Sequence, residues 1–158
     1  MKNLKSFILL LVSIFFISIQ IQAAEEQATK EECVEKCKKA AQLVKEIGQE
    51  AALAKIQDKT SEFTWKDSYV YVITLDTGTC IAHPEKPQLV GKVFSGLKDV
   101  KGTMFIAQMM NVALEKGEGW VPYMWTKPGE KKLIPKICYI YRVPGENIGM
   151  AAGIYEEQ

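Results

Sequence analysis

The sequence has few of the residues, and none of the motifs, on which the common enzyme classes depend. It contains a single histidine, His83, among its 158 residues. A Gly-x-Ser-x-Gly nucleophile turn, a phosphate-binding glycine loop and a zinc-hydrolase signature are all missing. These absences predict that the protein is not an enzyme and that it needs no cofactor.

The sequence also lacks an excess of charge of either sign. It has 20 Lys and Arg residues against 19 Asp and Glu residues, and 47% of it is hydrophobic. A nucleic-acid-binding protein would show clustered basic residues, and a disordered chain would be far less hydrophobic. Composition and length therefore predict one compact domain that binds no nucleic acid.

The only long hydrophobic run lies at the start of the chain. Two lysines precede an apolar run over residues 7–19, and a small residue follows at Ala23. This is the pattern of a secretory signal peptide, whereas a permanent anchor needs about 20 apolar residues. We therefore expect residues 1–23 to be a cleaved signal peptide and residues 24–158 to form a periplasmic or secreted domain.

Helical periodicity begins after a helix start signal. Thr29 and Glu32 have the spacing of a capping box, in which each side chain bonds the backbone N–H of the other residue. Apolar residues then recur every three or four positions from Cys33 to Ile47, which indicates an amphipathic helix. A glycine interrupts the pattern, and residues 49–56 predict a second, short helix.

Strand patterns dominate the rest of the sequence. Aromatic and β-branched residues are dense in short segments, which flank one helical run over residues 102–116. The segments are residues 69–75, 79–83, 120–126, 136–143 and 148–155. Their order predicts an α+β fold, in which a five-stranded antiparallel sheet has the long N-terminal helix on one face and the helical crossover on the other.

Nine short stretches of the sequence occur in the order found in a known family. They are Tyr69-Val70-Tyr71-Val72, Ala82-His83-Pro84, Leu89-Val90-Gly91-Lys92, Leu97-Lys98-Asp99, Lys116-Gly117-Glu118-Gly119-Trp120, Tyr123-Met124-Trp125, Lys127-Pro128-Gly129, Lys136-Ile137-Cys138-Tyr139 and Gly153-Ile154-Tyr155. On these stretches the chain resembles a single Cache domain of the Cache_2 type, an extracytoplasmic relative of PAS domains, over residues 29–155. The resemblance implies a PAS-like sheet of strand order 2-1-5-4-3 with a small-ligand pocket on one face.

The resemblance also implies a function. Cache domains of this type sense small organic acids outside the membrane, in chemoreceptors and sensor kinases. The sequence continues for only three residues beyond Tyr155, so we expect a stand-alone form without its own output domain. The expected partners are a small organic acid or similar metabolite and a separate membrane receptor, kinase or transporter; a homodimer is also compatible with the sequence.

By the same resemblance, six residues are the candidate ligand contacts. They are Tyr71, His83, Tyr123, Trp125, Lys136 and Tyr139. Alternation along the strand predicts that Ile81 shares a face with His83, and Lys136 is expected to swing over a strand end and supply a positive charge. The plainer alternatives are core tyrosines, a histidine that only ends a strand and a solvated lysine.

The four cysteines leave several interpretations open. Cys33 and Cys37 stand one helical turn apart, where their Cβ atoms are about 6 Å from each other, too far for a relaxed disulfide. Cys80 and Cys138 fall on strands that the expected order does not place side by side. Buried thiols, a disulfide from the helix to the sheet or between two chains, and a metal or redox site are the alternatives.

Two functions from different classes therefore follow from the sequence. The first is a secreted or periplasmic sensor-type domain that binds a short organic carboxylate and lacks its own output domain. The second is a periplasmic thiol, metal or redox accessory protein that uses Cys33, Cys37 and a cysteine of the sheet.

Overall fold

The structure, a computed structural model, describes residues 26–156 of the chain. The predicted signal peptide, residues 1–23, lies outside these residues and stays a prediction. Within the described part of the chain, no helix is both long and apolar enough to cross a membrane.

Two consecutive helices open the described chain. Helix α1 spans Lys30–Ile47 and helix α2 spans Gln49–Gln57, and Gly48 separates them at a φ of 82°. Glycine adopts this positive φ without strain, so it lets the chain turn between the helices. The predicted capping box is confirmed: Thr29 Oγ1 accepts from the Glu32 backbone N–H at 3.2 Å, and Glu32 Oε2 accepts from the Thr29 N–H at 2.8 Å.

A five-stranded antiparallel sheet forms the centre of the fold. The strands of the described chain are β1 (Thr64–Trp65), β2 (Ser68–Tyr69), β3 (Tyr71–Thr74), β4 (Cys80–Ala82), β5 (Glu118–Thr126), β6 (Leu133–Arg142) and β7 (Ile148–Tyr155). β1 and β2 form a small separate ribbon, and the main sheet runs β4-β3-β7-β6-β5 with antiparallel neighbours. Counted along the chain, these are the second, first, fifth, fourth and third strands of the main sheet.

Helices cover both faces of the main sheet. On one face, Ala40 of α1 belongs to the same buried cluster as Val72 and Met150. On the other face lies a third helix, α3 (Phe105–Lys116), whose Met109 belongs to a second buried cluster with Ile140. The predicted α+β fold, with the N-terminal helix on one face and the crossover on the other, is confirmed.

A bulge in β4 changes which side chains share a face. The register of β3 against β4 shifts by one residue, and Ile81 is the extra residue in β4. Ile81 therefore packs on the α1 side, whereas Cys80 and His83 both face the α3 side. The prediction that Ile81 and His83 share a face was wrong, because simple alternation fails at a bulge.

Residues 84–104, which we name the strap, connect β4 to α3. The strap contains one 3-10 turn, Pro87–Leu89, and then runs beside β4. The Cys80 backbone N–H donates to Lys92 O at 3.0 Å, and the Gly91 N–H donates to Cys80 O at 2.8 Å. These backbone bonds fix the first half of the strap against the edge of the sheet.

Asp99 fixes the second half of the strap. Its carboxylate accepts from the backbone N–H of Thr103 at 2.8 Å and from that of Met124, in β5, at 2.8 Å. These bonds hold residues 99–103 in a turn, so α3 begins at Phe105 and not at the predicted residue 102. The strap is therefore tied to both edge strands of the main sheet, β4 and β5.

Replacing Thr29 by alanine should lower the free energy of unfolding by about 1 kcal/mol, because the Glu32 N–H loses its acceptor at the start of α1. Urea unfolding followed by circular dichroism measures the change. Thr29→Ser keeps the hydroxyl group, so its free energy of unfolding should stay within about 0.5 kcal/mol of the wild type. Equal losses in the two variants would contradict the capping role.

Candidate ligand-binding site

A cavity of about 300 Å³ lies between the main sheet, α3 and the strap. Its lining residues are Tyr69, Tyr71, Ile73, Cys80, His83, Leu89, Phe94, Leu97, Phe105, Ile106, Tyr123 and Trp125. Tyr71, His83, Tyr123 and Trp125, four of the six predicted ligand contacts, thus meet at one cavity. Aromatic and aliphatic side chains with a few hydrogen-bonding groups are typical of small-molecule sites.

α2 and the strap hold His83 in the cavity wall. Its backbone N–H donates to Gln57 Oε1 at 2.7 Å, and Gln57 Nε2 donates to its carbonyl oxygen at 3.0 Å. The Lys86 backbone N–H donates to Nδ1 at 3.0 Å, which assigns the ring proton to Nε2. Nε2 has no hydrogen-bond partner among residues 26–156, so the ring offers an unused donor.

His83 is uncharged at neutral pH. Burial lowers its pKa, and the ammonium groups of Lys136 and Lys86 lower it further, to about 3. Its ring centroid lies 4.9 Å from that of Tyr69 and 5.5 Å from that of Tyr71. A neutral imidazole of this kind donates a hydrogen bond but is poorly matched to acid–base catalysis near pH 7.

Two phenol groups meet in the cavity beside the histidine. The Tyr71 hydroxyl donates to Met109 Sδ at 3.2 Å, and it lies 3.5 Å from the Tyr123 hydroxyl and 3.4 Å from Cys138 Sγ. Burial raises the pKa of both tyrosines well above the usual value, so both stay protonated at neutral pH. Because sulfur is a weak acceptor, an oxygen atom of a ligand would be a better partner for the Tyr71 hydroxyl.

Stacked rings close the side of the cavity formed by α3 and β5. The ring centroids of Phe105 and Tyr123 are 4.2 Å apart with planes 1° from parallel, and Trp125 lies 5.7 Å from Phe105. Lys86 Nζ lies 4.6 Å from the Trp125 ring centroid and donates to Thr126 Oγ1 at 2.8 Å. This side is therefore apolar, with one positive charge against the outer ring.

Lys136 is buried next to the cavity, with 1% of its surface exposed. Its Nζ donates to the hydroxyl groups of Tyr155 at 3.2 Å and Tyr69 at 3.5 Å, and lies 4.7 and 4.5 Å from their ring centroids. Tyr69 also lines the cavity, so its phenol connects the ammonium group to the cavity wall. The prediction that Lys136 swings over a strand end was wrong, because its side chain is enclosed on the α3 face of the sheet.

The Lys136 ammonium group has no carboxylate partner in the described part of the chain, where the ion pairs involve other lysines. Burial acts to lower its pKa, but two phenol oxygens accept hydrogen bonds from the ammonium group and two ring centroids lie 4.5 and 4.7 Å from it, and these contacts favour the charged form. The group is therefore a buried positive charge that only neutral groups solvate.

Tyr139, another of the six predicted ligand contacts, lies on the opposite face of the sheet and does not line this cavity. It is three residues from Lys136 in β6, and side chains an odd number of positions apart point to opposite faces. Its hydroxyl donates to Glu118 Oε2 at 2.7 Å, and its ring centroid lies 5.2 Å from that of Trp120. Tyr139 belongs to the core beneath α1.

Several residues of the cavity region were not among the predicted contacts. Tyr69 alternates with Tyr71, and this period of two was a usable signal. Cys80 faces the cavity only because of the bulge in β4. Phe105 and Tyr155 come from distant parts of the chain, so no local pattern connects them to the strands they contact.

All four cysteines are buried free thiols. Burial raises the pKa of Cys33 to about 12 and that of Cys80 to about 11, so neither is a thiolate near neutral pH. Among residues 26–156, no disulfide joins α1 to the sheet. In the same part of the chain, no group of three His, Cys, Asp or Glu side chains could hold a metal ion.

The fold and its cavity define a PAS-like ligand-binding domain, in which helices on both faces of an antiparallel sheet leave one aromatic hollow. The chain belongs to the Cache domain family, whose model dCache_2 matches residues 2–158. It is a single Cache sensor domain, and Cache domains are extracytoplasmic or periplasmic sensors. The resemblance stated from the sequence is thereby confirmed.

Three solved structures share the fold. A Cache chemosensory domain, solved for its recognition of carboxylic acids, has a TM-score of 0.69 and 24% identity, and the match covers 80% of this chain and 92% of that chain. The periplasmic sensor domain of a chemotaxis protein has a TM-score of 0.66 and 22% identity, with 80% and 90% covered. A methyl-accepting chemotaxis protein from Vibrio parahaemolyticus has a TM-score of 0.69 and 23% identity, with 80% and 87% covered.

One sequence relative is a whole receptor. The methyl-accepting chemotaxis protein McpP of Pseudomonas putida is 28% identical over 89 residues, which are 56% of this chain. The match covers 16% of the length of McpP. The domain is therefore related to the sensor domains of chemotaxis receptors.

An NMR titration of His83 tests whether its ring is buried in the cavity wall. The chain has a single histidine, so its imidazole proton signals in NMR are unambiguous. We expect no titration of the folded protein between about pH 8 and about pH 5, and a midpoint near 6.5 for the chain unfolded in urea. A midpoint near 6.5 in the folded protein would contradict the burial of this ring.

The lowered pKa of His83 should make the free energy of unfolding depend on pH. The unfolded chain binds a proton on His83 near pH 6.5, whereas the folded chain binds it only near pH 3. The contribution of His83 to stability is therefore full above pH 6.5 and is lost as the pH falls, by up to about 1.4 kcal/mol per pH unit. Urea unfolding at several pH values measures the slope, and His83→Gln should make it shallower; an unchanged slope would refute the linkage.

Proposed function

We propose that this domain binds a small organic carboxylate in the cavity and acts as a ligand-binding sensor rather than as an enzyme. One observation carries the proposal: the Lys136 ammonium group is buried against the cavity wall, and no described carboxylate neutralises it. A buried charge without a counter-ion is costly. An anion that enters the cavity therefore gains from a positive charge that folding has already removed from water.

Neutral donors would complete the carboxylate site. The His83 Nε2–H and the hydroxyl groups of Tyr71 and Tyr123 belong to residues that line the same cavity. A carboxylate accepts several hydrogen bonds through its two oxygen atoms, so it can use donors on more than one side. The positive charge of Lys136 acts on the His83 donor, because it contributes to the lowered pKa of that ring.

The structural neighbours support the ligand class. One of them is a Cache chemosensory domain that recognises carboxylic acids. Its 24% identity to this chain supports a common fold, so the choice of ligand has to rest on the cavity residues of this chain. In this chain, two features favour a carboxylate: the Lys136 ammonium group without a described counter-ion, and the His83 Nε2–H without a described acceptor.

The place of action and the partner are further parts of the proposal. We propose that residues 1–23 are a cleaved signal peptide and that the domain works in the periplasm or outside the cell. The relation to chemotaxis receptors favours a membrane receptor, kinase or transporter as the component that responds to the bound ligand. A homodimer stays a prediction.

Carboxylates should raise the melting temperature of the purified protein more than their uncharged amides do. Propionate, butyrate and phenylacetate are each compared with the corresponding amide by thermal shift and then by calorimetric titration. Acid and amide have nearly the same shape, so the difference reports the attraction by Lys136. A ligand at a hundredfold its Kd adds about 2.7 kcal/mol to the free energy of unfolding. Equal shifts for acids and amides, or no shift at millimolar concentration, would contradict the proposal.

The charge of Lys136 is tested by Lys136→Met, which keeps an unbranched side chain. Without ligand its melting temperature should stay unchanged or rise, because an apolar group replaces a buried ammonium group. The Kd for the tightest-binding acid should increase at least about tenfold. Lys132→Met, at an exposed lysine outside the cavity, is the matched control and should bind like the wild type. Wild-type affinity in Lys136→Met would refute the role of the buried charge.

A further inference from the structure

We infer that the preferred ligand is a monocarboxylate with a bulky apolar tail, at least the size of a phenyl ring, rather than a two- or three-carbon acid. The inference rests on the proposed function, because it takes a carboxylate at the Lys136 end of the cavity as given. The volume of the cavity, the distribution of its polar groups and the absence of a second charge in its described wall carry the inference.

The cavity is larger than the smallest carboxylates need. Its volume is about 300 Å³, whereas benzene occupies an engineered apolar cavity of about 150 Å³. Acetate and propionate are smaller than benzene, so either would leave a large part of the space unfilled. Water is a poor substitute, because a buried water molecule needs about three polar partners and most of this wall is apolar.

Tyr69 and His83, two of the polar side chains that line the cavity, mark one end of it. Tyr69 and His83, whose ring centroids are 4.9 Å apart, stand at the open end of the β3–β4 hairpin, and Lys136 donates to Tyr69 there. Ile73 and Cys80 are paired at the other end of the hairpin, next to its turn. An extended chain from Tyr69 to Ile73 spans about 13 Å. A ligand bound along this direction has a polar head position and a distant tail position.

The tail position is surrounded by apolar side chains. Phe94 reaches it because its backbone N–H donates to Gly78 O, in the hairpin turn, at 3.0 Å. Ile106 of α3 reaches it as well, since its Cγ2 lies 2.9 Å from where a Cβ on Gly78 would be. Both side chains line the cavity beside Ile73. A tail of phenyl size would bury its apolar surface against all three.

A second charge on the ligand would have no counter-ion. None of the described side chains that line the cavity carries a carboxylate or an ammonium group. Two cations lie close to the cavity: Lys136, which donates to Tyr69, and Lys86, whose Nζ lies 4.6 Å from the Trp125 ring centroid and donates to Thr126 Oγ1. A dicarboxylate would bury one charge among apolar groups, and the ammonium group of an amino acid would face these cations. The cavity therefore disfavours both classes.

Calorimetric titration of the purified protein with phenylacetate, propionate, succinate and phenylalanine tests the inference. Phenylacetate should bind at least about tenfold more tightly than each of the other three. Propionate, succinate or phenylalanine binding as tightly as phenylacetate would overturn the inference and leave the carboxylate proposal standing. If no acid binds better than its amide, the carboxylate proposal itself fails, and the inference fails with it.

A variant that fills the tail position provides a second test. Cys80→Phe places a ring at the apolar end, so it should weaken phenylacetate binding at least about tenfold and change propionate binding by less than about threefold. Leu114→Phe also adds a ring, but at an exposed position of α3 outside the cavity, and should bind both acids like the wild type. Unchanged phenylacetate binding in a folded Cys80→Phe protein would overturn the inference. Cys80→Met, a smaller addition, is used if the phenylalanine variant does not fold.

Discussion

The site depends on the burial of one ammonium group in a sheet that offers it no carboxylate. Lys136 extends from β6 across the α3 face, and its stem fits because Gly153 of β7 has no side chain: a Cβ there would lie 2.9 Å from Lys136 Cε. Ser68 holds this part of β7 by donating to Gly153 O at 2.8 Å, and Tyr69 and Tyr155 accept from the ammonium group. Each of these partners is neutral, so the charge is solvated without being cancelled. Our proposal that the cavity attracts an anion rests on that imbalance.

The central strand of the sheet carries small residues on the α3 face. β7 presents Gly149, Ala151 and Gly153 there, and the larger Tyr155 follows at its end. Side chains of β6 fill the room above the two glycines: Ile140 Cδ1 lies 2.7 Å from where a Cβ on Gly149 would be, and Lys136 Cε lies 2.9 Å from where a Cβ on Gly153 would be. The opposite face of the same strand places Met150 in the closed core beneath α1. Small residues on one face of β7 thus let Ile140 and Lys136 lie across the strand, while its other face contributes to the core beneath α1.

The helices, the strands and the kind of site could be predicted from the sequence, because each has a local signal of period or spacing. Side-chain direction was harder to predict, for two different physical reasons. Tyr139 was assigned to the ligand site with Lys136, although their odd separation in β6 already puts them on opposite faces. For Ile81 no such correction was available, because a bulge depends on the register between two strands. The burial of Lys136 depends on phenols from β2 and β7, and a local pattern therefore indicates a lysine in water.

The cavity wall has two parts, which differ in how firmly they are fixed: the sheet with α3, and the strap. The sheet and α3 are joined by strand ladders and a packed core, whereas the strap rests on backbone bonds to β4 and on the Asp99 carboxylate. The Asp99 carboxylate accepts from the backbone N–H of Met124 in β5, which lies between the wall residues Tyr123 and Trp125. A shift of the strap is therefore transmitted to the aromatic side of the cavity. The polar end belongs largely to the sheet, but the apolar end is shared with Phe94 of the strap. Under the proposed function, the carboxylate of the ligand would determine whether the molecule is retained, and its tail would determine how firmly the strap is held against the sheet.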